Sequence, residues 1–370
     1  MTVEFAVGKA VSHGPDVRTY IATLNGAADF NKSSLMPRGG DRKVAVFNEL
    51  QRVAQNAMNT AAPALDALKA AGLVTSYDVN PLSHAVVVDV NESRAAEAYA
   101  ALNKVDGIGR VFRNREIHIM GFENAVTGAA AVQPGLPASP AGLTAKPNTT
   151  EWNVTKVKAP AVWAQGFTGK GVTVGIVDTG IDYQHANLHD KYRGLKPDGS
   201  YDNNYNWFDA VNNKTAPYDD NEHGTHVTGT VLGSTADGYH TGMAPDAKYI
   251  GSKILNAQGS GTLEGVMKGL QWMLAPTDSA GLNPDPTKAP DIISNSWGTN
   301  NGTLDTFRAL MKSFVAAGIE PVLRSWQCWP GQGLHWRSGL VPGGHLDRRY
   351  RQGRQGCRLL EPRPEPDTRH

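Results

Sequence analysis

The chain has 370 residues, 40% of them apolar, and a formal net charge of +1. That length allows two or three domains with sizeable cores, no apolar run approaches the roughly 18 residues of a membrane helix, and the near-neutral balance suggests neither a nucleic-acid nor a membrane partner. The charge averages two unlike parts: residues 1–322 carry 27 Lys plus Arg against 31 Asp plus Glu, whereas residues 323–370 carry nine against four.

The first residues, Met-Thr-Val-Glu-Phe-Ala-Val-Gly-Lys, lack a basic stretch followed by an apolar core, so no secretory signal is expected in the sequence as written. Residues 17–24 read as a strand. From Asp41 to about Ala71, Val44, Phe47, Leu50, Ala54 and Met58 recur at helical spacing, and Pro63 is expected to split the segment into two helices. A short strand is predicted over Val74–Asp78, a turn at Asn80-Pro81-Leu82 and a strand over Ala85–Val90. Ser93 is placed to cap a helix running to about Asn103, and Arg110–Ile119 reads as a last strand. The order β-α-β-β-α-β predicts a ferredoxin-like α+β domain over residues 12–120. Alone, that fold says little about function. Residues 121–151, rich in Ala, Gly and Pro from Asn124 to Pro147, read as an extended linker.

From Trp152 the pattern changes to alternating strands and helices. Strands are predicted at Val172–Val177, Lys248–Ile254 and Asp291–Asn295, with another starting at Glu320. Helices are predicted at Thr225–Leu232, at Leu263–Leu274 as an amphipathic element, and at Asp305–Ala317. This order predicts an α/β fold, a doubly wound parallel sheet, over residues 152–322. Three stretches in it carry chemistry. The run Val172–Asp182 is a buried strand that presents Asp178 at its carboxyl end, where open α/β sheets place ligands, although a lone acid there could equally cap a turn. In Asp219–Gly229, His223 stands at a loop-to-helix junction. His223 and His226 together could suggest metal, but a zinc site needs three or four ligands and no third is nearby. In Ile292–Gly298, a buried strand runs out into Ser296-Trp297-Gly298, an extended edge. Gly259-Ser260-Gly261 is a second segment that a backbone could approach closely, and two such edges could hold a peptide by strand addition.

Together these segments resemble the subtilisin-like serine proteases: Asp-Thr-Gly after a strand, His-Gly-Thr-His-Val-x-Gly and Asn-Ser-Trp-Gly stand in the family's order. Lys191-Tyr-Arg-Gly, Asn206-Trp-Phe-Asp-Ala-Val, Trp272-Met-Leu-Ala-Pro and Ala289-Pro-Asp look most like its bacillopeptidase F branch. The resemblance covers about 152–322; more weakly, residues 17–119 resemble the family's propeptide, an inhibitor and folding chaperone. It implies a serine endopeptidase acting on polypeptides, with its own propeptide as a partner and an extracellular location. Asp178 would orient His223, and His223 would be the general base. Gly259, Ser260, Gly261, Ser296, Trp297 and Gly298 would bind the substrate backbone. The family's best-known calcium site uses an acid nine residues after the catalytic Asp; here that residue is Asn187, so the resemblance permits calcium but no specific residues support it, and no other cofactor is expected.

The resemblance also implies a nucleophile in Gly-Thr-Ser-Met-Ala and an oxyanion Asn soon after Val322, and the sequence contains neither. Ser325 and Ser338 lack that context. Residues 323–370 contain no Lys, Ala, Ile, Phe, Asn or Met, and they hold both cysteines, Cys328 and Cys357. Codons for Trp326-Gln-Cys-Trp-Pro330, read one base later, give Gly, then Asn or Ser, then Ala or Val, then Gly, with Pro permitted next. That is the family's Gly-Asn-Ala-Gly-Pro segment at its expected place. Residues from about 323 are therefore expected to be an out-of-frame tail, and the chain is expected to lack activity. Competing readings are a basic tail that binds nucleic acid or membrane, an N-terminal domain that inhibits a relative in trans, and an aspartic protease built on Asp178-Thr-Gly180. The last needs two such loops and only one is present. A nucleotide site is not supported, because no Gly-rich loop leads into Lys-Ser/Thr.

Overall fold

The computed structural model describes residues 14–119, 150–298 and 305–323. Most of the linker 121–151 and all but the first residue of the tail 323–370, with Ser325, Ser338 and both cysteines, lie outside the described residues. In the N-terminal region, β1 (Val17–Leu24) is followed by the short α1 (Asn31–Ser34), α2 (Gly40–Ala70), β2 (Ser76–Asn80), β3 (Ala85–Asn91), α3 (Ala95–Leu102) and β4 (Ile108–Arg113). The strands form one antiparallel sheet in the order β2-β3-β1-β4, with Tyr20 opposite Val88 and Ile21 opposite Val87. One face, with Tyr20, Ala22, Val86 and Val88, packs on Ala54, Met58, Ala61 and Leu65 of α2 and on Ala98 and Leu102 of α3.

Two helix expectations need correction. Pro63 does not divide the helix: α2 runs unbroken for 31 residues. Buried residues continue on one face on both sides of Pro63, from Val53, Ala57 and Met58 to Ala61 and Leu65. Their shared burial against the sheet outweighs the roughly 3 kcal/mol that a proline costs inside a helix. Ser93 does not cap α3 either. It sits in a 3-10 turn, Glu92–Arg94, and its hydroxyl bonds the Asn91 side chain at 3.3 Å.

The expected last strand is also two strands. β4 ends at Arg113, and β5 (Glu116–Ile119) leaves the sheet. Asn114 marks the turn-off. Its side chain accepts from the Glu264 amide at 3.1 Å and donates to the Glu264 carboxylate at 3.2 Å, which draws the chain away from β1.

After two short helices, α4 (Trp152–Lys156) and α5 (Ala159–Trp163), come β6 (Thr173–Asp178), β7 (Trp207–Asp209), α6 (His223–Leu232), β8 (Lys248–Lys253), β9 (Ser260–Thr262), α7 (Leu263–Leu274), β10 (Ile292–Asn295), β11 (Trp297–Gly298), α8 (Asp305–Ala316) and β12 (Glu320–Leu323). Five of these strands make a parallel sheet in the order β12-β10-β6-β8-β7. β6 is central and almost wholly buried, as a strand covered on both faces should be. The chain leaves β6 toward β7 on one side and leaves β10 toward β12 on the other. The crevice between the carboxyl ends of β6 and β10 is thus a topological switch point. β12 lies at the end of the sheet order, with alternate residues exposed.

α7 is amphipathic as read, but its polar face is not left to solvent, and all twelve of its residues are buried. Its polar stripe, Glu264, Lys268 and Gln271, is covered by the N-terminal region. Gln271 Oε1 accepts from the Leu82 and Ser83 amides at 3.0 and 3.3 Å, and Lys268 Nζ reaches Asp78 at 3.9 Å. Asp78, Val87 and Ile21 are in register on one sheet face, so that face looks toward α7. At α8, Arg42 donates to the last-turn carbonyls of Ala316 and Val315, favourable for a cation at a helix C-terminus.

Candidate active site

β6 carries its apolar run into the sheet interior and delivers Asp178 at the switch point. The chain must then turn within van der Waals reach of another loop. At Gly180 φ is +127°, and a Cβ there would lie 2.0 Å from the Tyr218 carbonyl; at Gly224 a Cβ would lie 2.1 Å from the Gly180 carbonyl. Only glycine fits either position, and the close approach sets the start of α6 against the tip of β6.

At that start, His223 Nδ1 lies 2.7 Å from Asp178 Oδ1. The Thr179 amide donates to the same oxygen, also at 2.7 Å. The Asp178 side chain is 1% exposed and that of His223 12%. The carboxylate oxygen accepts in this contact, so the tautomer that bonds Asp178 carries its proton on Nδ1 and leaves Nε2 as the basic nitrogen of the ring. Asp178 Oδ2 is buried and has no hydrogen-bond partner among the described residues.

Asp219, which the sequence reading passed over, ties the two elements together. It accepts from the Thr179 hydroxyl at 2.9 Å, from the Thr225 amide and hydroxyl at 2.9 and 2.7 Å and from the Asn221 amide at 3.1 Å. Burial acts to raise its pKa, but these hydrogen bonds outweigh burial and hold it below the usual carboxylate range. The Gly224 amide donates to Thr179 Oγ1 at 2.9 Å. A visible signal was its place, four residues before His223 and inside the same polar run. His226 does not join His223. It lines a cavity of ≈ 1140 Å³ together with Glu151, Asp182 and Glu222, and neither His223 nor Asp178 lines it. Among the described residues no group of three or more His, Cys, Asp or Glu is placed to hold a metal.

The two edge segments come together on either side of one strand. β5 pairs antiparallel with β9, placing Ile117 opposite Gly261 and His118 opposite Ser260, and with β11, placing Ile119 opposite Trp297 and His118 opposite Gly298. The Ile119 amide donates to the Gly259 carbonyl at 2.9 Å, and His118 Nδ1 meets Ser260 Oγ at 2.8 Å. Ser296 links β10 to β11, and Trp297 is buried with its ring edge-on to Phe307, centroids 5.4 Å apart. Asn221 Nδ2 donates to the Ala257 carbonyl at 2.8 Å, which connects the loop before His223 to the loop before Gly259. A cleft that takes an extended strand by both edges therefore adjoins the Asp178–His223 pair. Residues 169–322 match the model of the subtilase family, Peptidase_S8.

This segment is a subtilase domain.

The domain's relatives agree. Bacillopeptidase F of Bacillus subtilis is 44% identical over 174 residues, 46% of this chain and 12% of that protein. Subtilisin E of Bacillus subtilis is 32% identical over 169 residues, 45% of this chain and 37% of its own. The minor extracellular protease Epr of Bacillus subtilis is 29% identical over 197 residues, 53% of this chain and 26% of Epr. The chain thus spans well under half the length of these relatives.

Proposed function

We propose that the chain derives from a serine endopeptidase, that Asp178 orients and charges His223, and that His223 is the general base. The observation that carries this reading is the buried 2.7 Å Asp178–His223 contact at the switch point beside a two-edged strand site. In that role the Asp178 carboxylate keeps Nδ1 protonated and stabilises the imidazolium formed when Nε2 takes the nucleophile's proton. Polypeptide substrates would pair with Gly259–Gly261 and Ser296–Gly298, as β5 does. The word extracellular in the name of Epr supports an extracellular setting, and among the described residues no helix is long and apolar enough to cross a membrane.

In this reading residues 12–120 are a propeptide-like domain, 121–151 a linker, 152–322 the first part of the catalytic domain and 323–370 an out-of-frame tail. No Gly-Thr-Ser-Met-Ala segment occurs in the 370 residues, so the relay has a base and an orienting acid without its nucleophile. No calcium site is assigned: the resemblance permits the ion, but Asn187 offers a neutral amide oxygen where the family's acid would stand, which supplies a ligand without its charge. Incubation with a serine-directed fluorophosphonate, followed by intact mass, tests inactivity. We expect no adduct, and stoichiometric labelling would refute it. Sequencing the coding DNA around residue 323 tests the frame, and the reading in the neighbouring frame should supply the missing serine segment.

A second reading is favoured by β5 itself. A strand that occupies both edges of the cleft is an inhibitor of that cleft, so residues 14–119 could act in trans on an active relative. Adding residues 1–123 to such a relative should slow peptide hydrolysis, and an unchanged rate would remove this reading.

A further inference from the structure

Lys253 has no part in the relay described so far, yet it is a wholly buried cation beside it. It ends β8, in register with Asp178 at the end of β6. A buried ammonium is costly unless its hydrogens are all bonded and a counter-charge is near. Here the three hydrogens have three acceptors: the Thr179 carbonyl, the Asp220 carboxylate at 2.6 Å and the Leu255 carbonyl at 2.8 Å. The face of Tyr218 lies 4.9 Å away.

The Thr179 contact gives this cluster a purpose. All three polar groups of Thr179 are committed. Its amide donates to Asp178 Oδ1, its hydroxyl donates to Asp219 and accepts from the Gly224 amide, and its carbonyl accepts from Lys253. The amide fixes the acid and the hydroxyl fixes the helix start that bears His223. The carbonyl belongs to the next peptide, Thr179–Gly180, so its bond to Lys253 pins Thr179 on the far side of the Cα from which the other two groups extend. The bridge of Gly180 to Asp219 holds the same turn from the loop before His223, and Lys253 adds a constraint from the neighbouring strand.

We infer that Lys253 is a positioning residue for the Asp178–His223 pair, acting through the Thr179 carbonyl. The inference rests on the proposed role of that pair. A merely structural lysine would contribute to global stability and leave the pair's hydrogen bond unaltered.

The test uses the full chain labelled with 15N-histidine. A charge-assisted Nδ1–H to carboxylate bond gives a proton resonance far downfield of the amides, and observing it needs no nucleophile. In Lys253→Met we expect this resonance to exchange with water at least about tenfold faster, or to vanish, while the far-ultraviolet circular dichroism is retained. A folded Lys253→Met chain whose resonance keeps its position and exchange rate overturns the inference. Should that variant fail to fold, Asp220→Asn decides, because Asp220 is partly exposed and the amide keeps an acceptor oxygen while removing the counter-charge. About threefold faster exchange is then expected, and no change overturns the inference. Absence of the resonance from the unaltered chain would defeat the catalytic reading of the pair and the inference with it, whereas persistence in Lys253→Met defeats the inference alone.

Discussion

The antiparallel N-terminal sheet and the parallel sheet of the subtilase domain bury themselves by different routes. The first closes on helices of its own: Tyr20, Val86 and Val88 meet Met58, Leu65 and Leu102, all contributed by residues 20–102. The second also has a cluster of its own, in which Val174, Ile176 and Tyr249 meet Ile181, Tyr192 and Leu232. On its helix α7, however, Lys268 pairs with Glu264 at 2.8 Å, and the polar stripe these two share with Gln271 also meets Asp78, Leu82, Ser83 and Asn114 of the N-terminal region. The dependence therefore runs mainly one way. The N-terminal region carries its own core, and the subtilase domain borrows cover for the helix that follows β9.

Variants can break or sharpen this contrast. The largest effect is expected from Gly224→Ala, whose Cβ would meet the Gly180 carbonyl at 2.1 Å. A loss of about 4 kcal/mol or more is expected in thermal unfolding, with hydrogen exchange rising in β6 and α6 while β1 and β3 stay protected. Leu65→Ala should cost about 2–5 kcal/mol through the cavity it leaves. Its exchange signature should begin in β1 and β3 and spread to α7; a protected α7 would break the proposed dependence. Gln271→Ala leaves the buried Leu82 and Ser83 amides without their acceptor, and about 1–3 kcal/mol of docking should be lost, read as faster exchange at those two amides. Pro63→Ala should give the smallest change, a gain of about 1 kcal/mol read as a higher urea midpoint, less than the roughly 3 kcal/mol of a helix-interior proline because α2 already runs unbroken through the site and proline also restricts the unfolded chain.

Acid should also separate the two regions. Burial lowers the pKa of His84 below its ordinary 6.5, although the nearby Asn25 and Gly26 main chain acts in the opposite sense. A histidine with a depressed folded pKa gives stability that is complete above 6.5 and is lost as pH falls through the folded value. Asp219 is depressed from 3.8, so its contribution is complete above 3.8 and fades only at lower pH. Hydrogen exchange followed from neutral pH downward should therefore show β3 and the 81–84 turn loosening before α6. The reverse order would count against the assignment.

Most of the fold was legible because its signals are local. The β-branched run before Asp178, the small residues after His223 and the alternation in residues 17–24 each name an element without outside help. What was not legible depended on distant partners. Pro63 breaks a helix by local rules and fails to do so only because the sheet buries both sides of it. Ser93 has the composition of a cap, but Asn91 takes its hydroxyl. The departure of β5 from β4 is decided by Asn114 meeting Glu264, 150 residues away in sequence. Asp178 and His223 could be named from motifs. Lys253 could not, and Asp219 only by its place four residues before His223, since a lysine in a strand and an aspartate in a loop look like surface residues until the turn at Thr179 is seen between them.

β12 carries one more consequence. It pairs with β10 on one side, and Val322 is 52% exposed. Among the described residues no strand pairs with its other flank, and a strand edge with open main-chain donors and acceptors is a template for another extended chain. Wherever that flank stands open, two copies of this protein could zip together there, main chain to main chain. Strands would then be recruited along the rim of the sheet, and a charged residue in place of Val322 should slow that growth as followed by light scattering.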